Sequence, residues 1–228
     1  MERKKDRVVN AQLLRATTFV NILTFLVLAA SEPVSAVSIT PIVDGTIVDG
    51  LYWPKDGLPD LVDEGSAVKE LDVERPSQPW EGRGIIEFGL PVMSEPIADA
   101  KLTLNVSDSM GPYPFTIDVF TYTGNGVLSL GDFNAGSFFT SFEYSGESSV
   151  SFDVTDFIVE LYACVDDFAG FNFHFAVPTT IPLNFPYLAF SSLERPPAAD
   201  LIITPIPEPG AVFLLGLGGV MLLRKRRA

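Results

Sequence analysis

The chain has 228 residues, of which 29 are acidic and 15 basic, for a formal net charge of −14, and it contains one histidine and one cysteine. A lone cysteine excludes an intrachain disulfide and a Cys-based metal cluster, and one histidine beside it leaves zinc without a ligand set. So acidic a chain repels phosphate backbones, which excludes nucleic acid as a partner.

The N-terminus opens with Arg3, Lys4, Lys5, Arg7 and Arg15, followed by an apolar stretch from Phe19 to Ala30. A stretch of twelve residues, broken by Asn21 and Thr24, falls short of the roughly 20 needed to cross a bilayer. Val34-Ser35-Ala36 supplies the small-x-small pattern that signal peptidase accepts. Residues 1–36 therefore read as a cleaved signal peptide that directs the chain to the Sec translocon.

Residues 37–204 are long enough for one domain with a substantial core. Of the 29 acidic residues only Glu2, Asp6, Glu32 and Glu208 lie outside this span. Of the 15 basic ones only Lys55, Lys69, Arg75, Arg83, Lys101 and Arg195 lie inside it. The span alone carries about −19, which suits solubility and weak attraction for divalent cations.

From Asp44 to Pro79 the sequence is rich in Gly, Pro and Asp and poorly periodic, so irregular structure with one or two strands is expected. Period-two alternation then begins. Ile86, Phe88 and Leu90 alternate, as do Leu102, Leu104 and Val106, then Ile117 and Val119. Val150, Phe152 and Val154 follow, then Phe171, Phe173, Phe175 and Val177. Each run predicts a strand with one buried face. Tyr187–Ser191 and Leu201–Thr204 are further candidates. Asn125-Gly126 supplies the residues that a tight hairpin turn requires. Thr155 is placed to cap one helix over DFIVELYA, with Phe157, Leu161 and Ile158 facing inward. Cys164 is expected as a small buried apolar residue. The pattern predicts a mainly β fold, an antiparallel β-sandwich with one short helix.

Candidate chemistry is sparse. His174 alternates with the phenylalanines of FNFHFAV and therefore lies on a sheet surface beside Asn172, with no Gly-x-Ser-x-Gly elbow in the chain. No catalytic residue is assigned. Asp60, Asp63 and Glu64, or Asp166 and Asp167, are the carboxylates to nominate as acid and base of a glycan-active enzyme, but nothing places two of them across a cleft, and solvated acidic loops explain them better. TYTGNGVLSLGD has part of a calcium-loop pattern ending on Asp132, yet Thr121 and Thr123 stand where charged or amide ligands belong, so the hairpin explains it better. Asp44, Asp49, Asp56, Asp60 and Asp63 are calcium candidates on composition alone. Sugar binding would use exposed aromatic faces, for which Trp53 and Trp80 are the candidates, with Tyr113 and Tyr122 also near turns.

The last segment, 205–228, contains Pro207-Glu208-Pro209, an apolar run from Ala211 to Leu223, and Arg224, Lys225, Arg226 and Arg227. As a helix the run spans about 20 Å, short for a hydrocarbon core roughly 30 Å thick. The basic end would stay cytoplasmic. This tripartite order resembles the PEP-CTERM sorting signal of Gram-negative bacteria. That resemblance implies transient residence in the inner membrane, processing by an exosortase, and transfer to the cell surface or the exopolysaccharide matrix.

RGIIEFGLP, IADAKLTLNV, YTGNGVLSLGDFNAG and SFDVTDFI resemble the sandwich domains found ahead of such signals. These are similar to carbohydrate-binding-module-like and DNRLRE-type jelly rolls. A jelly-roll-like sandwich with a structural or adhesive role is the expectation, and a specific carbohydrate-binding module is the runner-up.

Overall fold

The computed structural model describes residues 35–49, 58–63, 70–74, 81–111, 113–176, 187–193 and 196–206. The chain divides into two units by its backbone contacts. Ala36–Thr204 is one, and Met1–Ser35 with Pro205–Ala228 is the other, which lies outside the described residues apart from Ser35, Pro205 and Ile206.

The first unit is mainly β. In chain order come β1 (Val37–Ile39), β2 (Val43–Asp49), β3 (Leu61–Asp63), β4 (Glu70–Glu74), β5 (Glu81–Gly89), β6 (Ile97–Met110), β7 (Phe115–Thr123) and β8 (Ser137–Tyr144). Then follow β9 (Ser149–Asp153), helix α1 (Thr155–Cys164), β10 (Phe168–Phe175), β11 (Tyr187–Ser191) and β12 (Asp200–Pro205). A 3-10 turn, Leu130–Asn134, lies in the connection between β7 and β8. Among the described residues the strands pair antiparallel.

Two sets of strands share the core. One runs β3-β2-β5-β10-β7-β8. The other is organised on the long strand β6, which pairs with β9, β12 and β11, with β1 beyond β12 and β4 beyond β11. A single register pair, Glu74 with Gly82, links β4 to β5. Ile86, Phe88, Ile117, Val119, Phe171, Phe173 and Phe175 of the first set pack with Leu102, Leu104, Leu188, Phe190, Leu201 and Ile203 of the second. The arrangement is sandwich-like, as the alternation predicts, because period-two strands have one apolar row each to hide.

Helix α1 lies where the sequence predicts it, with Ile158 and Leu161 buried and Phe157 packed against the core. Its cap differs. Thr155 is already helical, and its hydroxyl instead accepts the Ala100 amide at 2.9 Å and donates to Asp153 at 2.6 Å. The threonine thus fastens the helix start to β6. At the other end Val165 is left-handed at φ 63°. Its amide reaches the Tyr162 carbonyl at 3.3 Å and that of Asp166 reaches Leu161 at 3.0 Å, closing a Schellman turn. Cys164 is exposed rather than buried, since it ends the helix beyond Leu161 and Tyr162, the last residues that pack against the core.

Two more expectations need correction. The region from Asp44 to Pro79 contributes three strands, β2, β3 and β4, rather than one or two. Strand β2 is buried on both faces, which erases the alternation that would have revealed it. Asn125-Gly126 does not close a two-residue hairpin. Strand β7 stops at Thr123 and β8 starts at Ser137, and Leu128, within the long connection between them, is buried.

Candidate functional site

The polar chemistry of the described residues concentrates on the outer face of the set β2-β5-β10-β7-β8. Antiparallel register places Glu87, Gly170 and Tyr122 in one row across β5, β10 and β7. The next row holds Ile85, Asn172, Phe120 and Phe138, and the one beyond it His174, Asp118 and Ser141.

Over the first rows lies the connection from Gly124 to Gly136. Its apolar anchors Leu128 and Phe133 form a second small core with Ile47 and Ile85, separate from the main one. Its polar anchors are side chains of the sheet. Glu87, fully buried, accepts the Tyr122 hydroxyl at 2.9 Å, the Asn125 amide at 3.0 Å and the Gly126 amide at 2.6 Å. Three donors on one carboxylate satisfy a charge that burial would otherwise make costly. Tyr122 reaches Glu87 because Gly170 stands between them; a β-carbon there would fall 2.4 Å from the tyrosine ring. Burial, and after it the Glu87 and Asp132 carboxylates, push the Tyr122 phenol well above its ordinary value.

Asn172 Nδ2 donates to the carbonyls of Asp132 and Phe133, each at 3.0 Å. Arg83 adds a third fastening. Its Nε meets Glu81 at 2.7 Å, one terminal nitrogen donates to the Phe133 carbonyl at 2.6 Å, and the guanidinium lies 4.0 Å over the Phe133 ring. Asp132, the residue that would have closed a calcium loop, instead accepts the Ser129 amide at 2.7 Å and caps the 3-10 turn. Its carboxylate is committed within the loop.

Among the described residues, the rest of the face is half-buried or exposed. Phe120 meets His174 at 4.6 Å between ring centroids and Phe138 edge-on at 5.8 Å. Phe138 is 58 % exposed. Asp118 accepts the Ser141 hydroxyl at 2.6 Å beside them. Phe171, Phe173 and Phe175 are buried on the opposite face from His174, as strand alternation requires.

The sequence candidates are dispersed. Asp44 and Asp49 lie on opposite faces of β2, five residues apart. Asp44 accepts the Leu193 amide at 2.8 Å, and Asp49 is the register partner of Glu81. Asp60 lies in the link before β3, its amide donating to the Val48 carbonyl, and Asp63 closes that strand. Among the described residues no three His, Cys, Asp or Glu side chains gather as a metal group. Asp166 accepts the Thr123 hydroxyl at 3.2 Å.

Tyr113 is 44 % exposed, stacked on Phe115 at 5.5 Å with its hydroxyl on Ser109 at 2.6 Å. Tyr122 is not available as a sugar platform, because its ring is laid across Gly170 toward Glu87. Asp56, Glu64, Trp53, Trp80, Pro207, Glu208, Pro209, Arg224, Lys225, Arg226 and Arg227 lie outside the described residues.

Sequence reasoning missed Glu87 and Gly170. Alternation in GIIEFGL puts Glu87 on the face opposite Ile86 and Phe88, which reads as solvent. Only the connection folded over that face buries it. No protein-family model matches the chain. A search of curated proteins likewise finds no relative.

Proposed function

We propose that this chain is an exported, non-enzymatic protein with a jelly-roll-like β-sandwich, delivered by its C-terminal segment to the cell surface or extracellular matrix of a Gram-negative bacterium. The single observation that supports this reading is the order of the tail. Pro207-Glu208-Pro209 precedes an apolar run from Ala211 to Leu223, and Arg224–Arg227 close it. A run this short holds the chain in the inner membrane for a time. The basic end keeps the C-terminus cytoplasmic and the domain outside. An exosortase then processes the tail, after a Sec translocon has exported the chain through the signal at 1–36. The role is structural or adhesive, through weak polyvalent contacts with exopolysaccharide or divalent cations that an acidic, secreted domain favours.

The test is the intact mass of the protein recovered from its host, in membrane and extracellular fractions. An extracellular species that begins near Val37 and ends close to Pro207-Glu208-Pro209 is expected. A species that keeps Arg224–Arg227 and stays in the membrane overturns the reading and makes the tail an anchor.

A further inference from the structure

We infer that the free edge of β8 is a self-association surface, on which a second copy of this chain adds its own β8 antiparallel. The inference does not depend on the fate of the tail.

Strand β8 ends the order β5-β10-β7-β8, and among the described residues its backbone pairs only with β7. A strand edge carries unused amides and carbonyls along its length, so what matches it is another extended strand. The other terminal strands are shorter. Strands β1 and β3 have three residues each and β9 has five, against eight in β8. Short edges give an incoming strand little to pair with; β8 gives it more.

Edges are normally guarded by Lys, Pro, inward charges or bulges. The β8 sequence SFFTSFEY has no Lys, Arg or Pro. Its one charge, Glu143, is the register partner of Thr116 and so lies on the outer face. One guard is present, a bulge in β8 itself, where Phe139 is the extra residue opposite the step from Val119 to Phe120 of β7. From Thr140 to Tyr144 the ladder is uninterrupted. Phe138 stays 58 % exposed at this edge, with Phe120 edge-on behind it. An added strand about 4.8 Å away would cover that ring.

Charge selects the occupant. A basic partner would be drawn to the carboxylate-rich surfaces of this domain and gain little from an edge with one glutamate. A neutral, aromatic strand fits, and β8 is itself such a strand. For two copies that repel each other elsewhere, this charge-poor strip is where close approach costs least. Antiparallel pairing of like strands is two-fold symmetric, so both edges are used up and the assembly closes.

The test uses the full chain as its host exports it, followed by sedimentation equilibrium across protein concentration and salt. A dimer is expected, tighter at higher salt as repulsion between the acidic domains is screened. Ser141→Lys, which sets a charge at mid-edge, is expected to weaken it at least tenfold. Ser149→Lys on β9, the matching change on another edge, is expected to leave it unchanged. Hydrogen exchange on the unaltered protein supplies a readout that no variant can disturb, with slower β8 amides in the dimer. A monomer throughout overturns the inference. So does a dimer that ignores Ser141→Lys, or one whose β8 amides exchange as in the monomer, which would place the contact in the tail or on another face.

Discussion

Glu87 and Tyr122 show how buried polar groups help fasten a connection to a sheet. The carboxylate is fully buried and holds two loop amides and a phenol. Because the Tyr122 phenol is raised above its ordinary value of 10.0, the folded chain keeps that proton at pH values where the unfolded chain loses it. The associated stability is therefore complete below about pH 10 and is lost as pH climbs beyond it, at no more than about 1.4 kcal/mol per pH unit. Thermal melts between pH 9 and 11 should show a steeper decline for the wild type than for Tyr122→Phe. Tyr122→Phe should also start from lower stability, since Glu87 loses a donor. Equal slopes would mean the phenol ionises freely. Gly170→Ala reports on the same contact from beneath. A β-carbon 2.4 Å from the tyrosine ring forces it aside, and urea denaturation should register a loss of about 1–3 kcal/mol. An unchanged midpoint would show that the ring has another place to go.

Among the elements, α1 carries an avoidable cost. A β-branched residue at φ 63°, 85 % exposed, occupies the Schellman position that glycine fills best. Val165→Gly should raise stability by about 1 kcal/mol, the left-handed penalty removed less the added freedom of glycine in the unfolded chain. The measurement is the thermal midpoint, expected to rise by roughly 2–4 °C for a chain of this size; a fall would mean that Val165 makes a contact worth more than its strain. Elements also set what could be read from sequence. Strands with one buried face, such as β7 with Ile117 and Val119, were legible because period two is a local property. Strands β2 and β5, covered on both sides, were partly hidden. Ile85 and Ile86 are adjacent, and both are buried, in different cores.

At the scale of the whole molecule, Phe171 lies where the layers meet. It is fully buried and meets Phe88 of β5 at 6.0 Å and Phe157 of α1 at 5.5 Å, both edge-on. Phe171→Ala removes both contacts and leaves a cavity, at a cost of about 3–5 kcal/mol. That is a large share of the 5–15 kcal/mol typical of a domain, so soluble yield and cooperative unfolding should both fall. Retained cooperativity with a small shift would mean that the neighbouring rings collapse into the space.

Sequence by itself was enough for the mainly antiparallel β class, the inward rows of most strands and the position of the helix, because these follow from spacing within a few residues. The two ends, and with them the proposed destination of the protein, are likewise read from sequence alone. Only the tertiary structure decided the fate of the outer face. Glu87 and the Asn125–Gly126 amides it holds are separated by 38 and 39 residues in sequence, and no local pattern shows that one will bury the other. That β8 pairs, among the described residues, only with β7 was decided in the same way. A strand's partners are chosen by the packing of the entire sheet, and its own residues say only that it will pair.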